Sequence, residues 1–170
     1  MKYYNVSKYN RNNPKYLDEW TSIWSALDDE CVDKKKWSDY LKIERQYLNF
    51  AVSFLVKNDI NEFKISGLEI NLDDETEAEF HKIRYGLLDP EWFVISKAQN
   101  RGILSELDKI SMVQLALRGI VWFKFTHINS GVTLSFDNDY YLLIGIKDSS
   151  YMPIPSDFDL YSREMNNPWE

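Results

Sequence analysis

Apolar positions are densest late in the chain, over Leu117–Thr126 and Val132–Ile146, with aromatic residues throughout. They read as a helix end running into three short strands: Ile120 to His127 first, then two more joined by hairpin turns. Asn129-Ser-Gly131 supplies the first turn and Asp137-Asn-Asp139 the second. Earlier, Leu41, Tyr47, Leu48, Ala51, Val52, Phe54 and Leu55 recur at helical spacing and fall on one face. The spacing predicts a helix from an N-cap at Ser38 to about Lys57, ended by Asn58-Asp59. Leu107, Ile110, Val113 and Leu117 predict another, with Ser105-Glu-Leu-Asp108 at capping-box spacing and Gly119 where a C-cap belongs.

The remaining pattern is weaker. Tyr3 to Tyr9 reads as a strand, broken by the turn chemistry of Asn10–Pro14. Thr21 to Leu27 suggests a helical turn. Phe63, Ile65, Leu68, Ile70 and Leu72 predict a strand, or a hairpin about Ser66-Gly67. Asp89-Pro90 reads as a turn, and Trp92 to Ile95 as a short strand or loop. The tail 149–170, with Pro153, Pro155 and Pro168, is expected to run extended over the surface. The sum is one α+β domain over 1–170, with an antiparallel sheet, a C-terminal aromatic meander and two main helices.

Composition adds two constraints. Aromatic residues make up 15% of the 170 residues, a surplus that supplies a core and can also supply an interface. The net charge is −7, which argues against nucleic acid and favours a basic partner. Charge is also segregated. Residues 1–16 carry Lys2, Lys8, Arg11 and Lys15 and no acid, whereas residues 69–79 carry Glu69, Asp73, Asp74, Glu75, Glu77 and Glu79 and no base. A single cysteine, Cys31, excludes an internal disulfide and suits a reducing compartment. No apolar run is long enough to span a membrane, and Met1 is not followed by a signal-peptide pattern. A cytoplasmic protein is expected.

Candidate chemistry is thin. His81 and His127 are far apart in sequence and lie in no recognisable acid–base motif. Asp137-Asn-Asp139 starts like a calcium loop, but its sixth and twelfth positions are Leu142 and Asp148, not Gly and Glu. Glu75, Glu77 and Glu79 would converge on a strand face but not on a helix, and read as a solvated acidic face. No phosphate loop, dinucleotide fingerprint, nucleophile elbow or zinc-protease motif is present. No catalytic residue, cofactor or metal is therefore expected.

Lys2–Asn10 with Asp18-Glu-Trp-Thr-Ser22, and Leu117–Trp122 followed by Phe136–Ile144, are similar to segments of a group of small acidic cytosolic bacterial proteins. The chain departs from that pattern by Arg11-Asn-Asn13 before Pro14, and by Phe123-Lys-Phe125 where a Cys is common. In size and character it also resembles immunity proteins of bacterial toxin systems, including contact-dependent growth inhibition. That resemblance implies a non-catalytic cytosolic binder whose partner is a toxin, foremost a nuclease with a basic active site. The expected partner-binding residues are Asp73, Asp74, Glu75, Glu77, Glu79, Asp137 and Asp139, with Tyr85, Trp92 and Tyr140 as aromatic anchors. Two alternatives stay open: a homo-oligomeric regulatory protein whose aromatics line a self-interface, and a hydrolase using His127.

Overall fold

A computed structural model describes residues 1–10, 34–58, 63–71, 89–101, 106–137, 141–148 and 151–169. Their elements are β1 (Lys2–Ser7), α1 (Lys34–Lys57), β2 (Phe63–Ile70), α2 (Asp89–Arg101), α3 (Glu106–Leu117), β3 (Val121–His127), β4 (Thr133–Asp137), β5 (Tyr141–Ile146), a 3-10 turn (Pro155–Phe158) and β6 (Tyr161–Met165). The strands form one sheet in the order β2-β3-β4-β5-β1-β6, antiparallel throughout. The protein is an α+β domain.

Strand β3 shows how the sheet acquires two faces. Val121, Phe123 and Phe125 are buried, while Trp122 between them is exposed. Successive side chains of a strand point to opposite faces, so one face packs into the core and the other looks outward. The inner face joins Phe63, Phe125, Leu134, Ile144 and Val6 to Tyr47, Phe50 and Phe54 of α1 and Met112, Val113 and Leu115 of α3 in a single cluster. Phe63 stacks on Phe125 with centroids 4.8 Å apart, and Phe123 tilts against Phe125 at 4.4 Å. The aromatic surplus is thus largely core, where rings contribute most through buried area.

Helix α1 meets α3 through charge as well as apolar surface. The Glu44 carboxylate accepts hydrogen bonds from Tyr40 Oη (2.6 Å), Gln114 Nε2 (3.0 Å), Arg118 Nε (2.9 Å) and Arg118 Nη2 (3.1 Å). Both charged side chains are almost fully excluded from water, at 7% exposure for Arg118 and 4% for Glu44. The fork of donors matches both carboxylate oxygens, which is what makes a buried pair tolerable. Helices α2 and α3 are tied by Lys97 Nζ to both Asp108 oxygens, at 3.0 and 3.1 Å.

Helix α3 ends as its sequence predicts. Gly119 adopts a left-handed φ of 70°, its N–H reaches the Ala116 carbonyl, and the Ile120 N–H reaches the Leu115 carbonyl at 3.0 Å. This is a Schellman cap closed by the buried pair Leu115 and Ile120. The β3–β4 turn also behaves as expected. Gly131 has φ 71°, its N–H bonds the His127 carbonyl, and the His127 N–H bonds the Val132 carbonyl.

Three expectations need correction, and one open alternative, strand or hairpin over 63–70, is resolved. Helix α1 begins at Lys34, so Ser38 lies inside it and is not its N-cap. Trp92 to Ile95 belongs to a third helix, α2, instead of a strand or loop. Pro90 sits in its first turn, where a missing N–H costs nothing, and Val94, Ile95 and Ala98 bury its inner face. Residues 63–70 form a single strand, whose register slips between Ser66 and Glu69 around Gly67 at φ 60°. The tail does not simply run over the surface. Phe158 packs edge-on against Phe50 at 5.5 Å, Gln46 Nε2 bonds Asp159, Leu160 is buried, and β6 then pairs with β1 as an edge strand.

Candidate functional site

With the helices on the inner face, the outer face of the sheet carries exposed Trp122 and Tyr161 but has a buried middle at Ser7, Thr133, Ser135 and Leu143. The register sets a straight row across it: Ser66, Lys124, Ser135, Leu143, Asn5 and Arg163, one residue from each of the six strands. A cation thus stands near each end of the row, on β3 and on β6. The strands between them place these two positions about 19 Å apart, at nearly 5 Å per strand.

The C-terminal residues return over this face. The Trp169 ring meets Tyr3 edge-on at 5.5 Å, and Lys124 Nζ lies 3.7 Å from the Trp169 ring centroid. A cation over an indole face is the strongest of the common cation–aromatic pairs. Burial lowers the Lys124 pKa below the ordinary lysine value, since desolvation disfavours the ammonium. Under the strap, Gly145 is required by space. A Cβ there would collide with the Thr133 hydroxyl and stand 2.9 Å from the Tyr3 ring. That hydroxyl is buried without a hydrogen-bond partner among the described residues.

Two clefts lie on this face, one of them against the strap. The larger, of about 410 Å³, lies between the β2 bulge, Trp122, Lys124, Ser135, Leu143 and the Pro168–Trp169 end of the chain. The smaller, of about 240 Å³, is lined by Asn5, Ser7, Tyr9, Asn10, Tyr161 and Arg163 where β1 meets β6.

One end of the sheet gathers several features that are scattered in sequence. Ile70 pairs with Val121, Asp137 pairs with Tyr141, and Ser7 pairs with Tyr161. All three pairs lie at the end opposite the Gly131 turn. There Asn71 is held by its N–H to the Ile120 carbonyl (2.8 Å) and by Nδ2 to the Gly119 carbonyl (3.3 Å). Ile70 on β2 and Asp137 on β4 are thus two strands, about 10 Å, apart at this end. The exposed aromatics Trp122 and Tyr161 stand at the same end.

The sequence-predicted residues divide accordingly. Asp73, Asp74, Glu75, Glu77, Glu79, Tyr85, Asp139 and Tyr140 lie outside the described residues, as do His81 and Cys31. Trp92 is in α2, and Asp137 is the last residue of β4. His127 sits at the end of β3 with Nδ1 2.7 Å from Ser130 Oγ and its ring against Phe63, which is a turn-stabilising position. Sequence reading missed Trp122, Lys124 and Trp169 as a group. The alternation Val121, Phe123, Phe125 carries the signal for the first two, while nothing local marks Trp169.

Among the described residues no set of His, Cys, Asp or Glu is grouped to hold a metal ion, and no helix is long and apolar enough to cross a membrane. Comparison with protein families, with curated proteins and with solved structures finds no match to the chain.

Proposed function

We propose that this is a non-catalytic cytoplasmic binding protein of the immunity type, which neutralises a bacterial toxin by covering its basic active site. The toxin class is a nuclease. The observation that carries this reading lies at one sheet end: Ile70 and Asp137, the strand positions nearest in sequence to the acidic stretches 73–79 and 137–139, stand two strands apart with exposed Trp122 on the strand between them. A nuclease must hold phosphates with a basic surface, so a dense anionic patch competes for the same site. Long-range attraction raises the association rate, and desolvated aromatics supply the residence time. The net charge of −7 supports this direction of steering.

The reading is tested with a toxin nuclease domain encoded beside this chain. Co-expression should protect the cell and yield a complex on gel filtration. Replacing Asp73, Asp74, Glu75, Glu77 and Glu79 with their amides should slow association at least tenfold at low salt, an effect that fades as salt is added. If the pair gives neither protection nor a complex, the proposal is wrong.

A further inference from the structure

The larger cleft on the outer sheet face has a chemistry that steering by acidic residues does not use. Its floor is Ser135 and Leu143, exposed by only 5% and 7%, and its sides include Trp122 and Trp169. Lys124 and Ser135 are directly opposed on adjacent strands, which puts their Cβ atoms about 5 Å apart on the same face. One brings an ammonium and the other a hydroxyl, so two donors stand between aromatic walls. Among the described residues no carboxylate forms an ion pair with Lys124, whose ammonium instead rests on the Trp169 ring. At the rim, a Cβ on Gly67 would meet nothing within 4 Å, so the mouth beside the bulge is open.

We propose that this cleft binds a small planar aromatic carboxylate, its ring against the indoles of Trp122 and Trp169 and its carboxylate on Lys124 and Ser135. Volume, walls and charge select this class together. A space of about 410 Å³ falls in the range that holds small ligands. Indole faces and the Leu143 floor favour a flat ring in offset stacking. A cation stripped of part of its hydration, and without an ion pair among the described residues, gains from an anion through hydrogen bonds strengthened by charge. Glu69 also lines the cleft, and its repulsion favours a single carboxylate over a phosphate dianion. The cleft shares the Trp122 wall with the proposed toxin-binding end, but its anion-binding pair, Lys124 and Ser135, is not part of that end, so variants at Lys124 and Trp169 test the cleft separately.

The test uses the full chain with indole-3-acetate as probe and indole-3-acetamide as its neutral match. Amide resonances are followed by two-dimensional NMR and affinity by calorimetry. The expected result is saturable shifts at Ser66, Lys124, Ser135 and Trp169, with the amide binding at least tenfold more weakly. Lys124→Gln and Trp169→Ala should each weaken binding at least tenfold, whereas Lys64→Gln, an exposed lysine that does not line the cleft, should leave it unchanged. Trp169→Phe, which keeps a ring, should bind between wild type and Trp169→Ala. Affinity should fall in the alkaline range as Lys124 loses its proton. Absence of shifts at those residues, equal binding of acid and amide, or wild-type affinity in Lys124→Gln would each overturn the proposal. So would saturation of the same residues by a single-stranded oligonucleotide in place of the carboxylate.

Discussion

Removing one partner of the Glu44–Arg118 pair is the sharpest perturbation of this fold. In Arg118→Met the volume is roughly kept but the guanidinium is lost. Glu44 then keeps only Tyr40 and Gln114 as donors, in a site where its side chain is 4% exposed. A buried carboxylate without its counter-charge costs about 3–5 kcal/mol. For a domain of this size a urea m-value of about 2 kcal/mol per M converts that loss to a midpoint shift of about 1.5–2.5 M. The corresponding fall in Tm is roughly 6–20 °C. Urea unfolding followed by tryptophan fluorescence reads this directly. The informative comparison is Glu44→Leu with Arg118→Met, which removes both charges together. That double variant should recover most of the loss, to within about 1 kcal/mol of wild type, because a hydrophobic replacement of a buried pair is often neutral. If Arg118→Met costs less than about 1 kcal/mol, or if the double variant is as unstable as the single, the account of the α1–α3 contact is wrong.

Gly119→Ala should destabilise by about 1 kcal/mol, since a side chain must then take φ 70° in the Schellman cap, and a urea midpoint checks it. Gly145→Ala should cost more, about 1–3 kcal/mol, because its Cβ meets Thr133 and the Tyr3 ring; tryptophan fluorescence should also report displacement of Trp169 from Tyr3. Lys124 should titrate below the ordinary lysine value in a side-chain NMR experiment, because burial disfavours its ammonium. Its charge is disfavoured by folding, so the unfolded chain holds that proton more tightly, and stability should rise with pH between the folded and unfolded pKa values. A midpoint at or above 10.5 would contradict the desolvation read from the structure.

Much of the architecture is legible in the residues, and the reason differs from element to element. Gly119 announces a helix end because few other residues accept a left-handed φ, and the apolar positions either side close the cap. Strands β3, β4 and β5 are legible because they are sequential, aromatic and joined by turns with fixed chemistry. Helix α2 is hidden for the opposite reason. Its Trp92-Phe-Val-Ile95 run has strand propensity, and only packing of Val94, Ile95 and Ala98 against the core overrides it. Helix α1 starts four residues before Ser38, so a serine of cap type followed by an apolar-periodic run falls inside the helix and misleads. Strand β6 is almost fully exposed, so Tyr161–Met165 shows no alternation to read. The grouping of Trp122, Lys124 and Trp169 depends on how the chain end returns across five strands, which no local pattern encodes.

The proposed function puts the binding of a basic toxin domain at the sheet end of Ile70, Trp122 and Asp137. The most direct measurement is calorimetric titration of a basic toxin nuclease domain, one that co-expression with this chain neutralises, into wild type, Trp122→Ala and Lys64→Ala. The account predicts a one-to-one complex for wild type. It predicts at least a tenfold loss for Trp122→Ala, as expected of an interface anchor, and no change for Lys64→Ala, whose strand position lies toward the opposite end of β2. Equal affinity for wild type and Trp122→Ala, or no heat of binding at all, would contradict it.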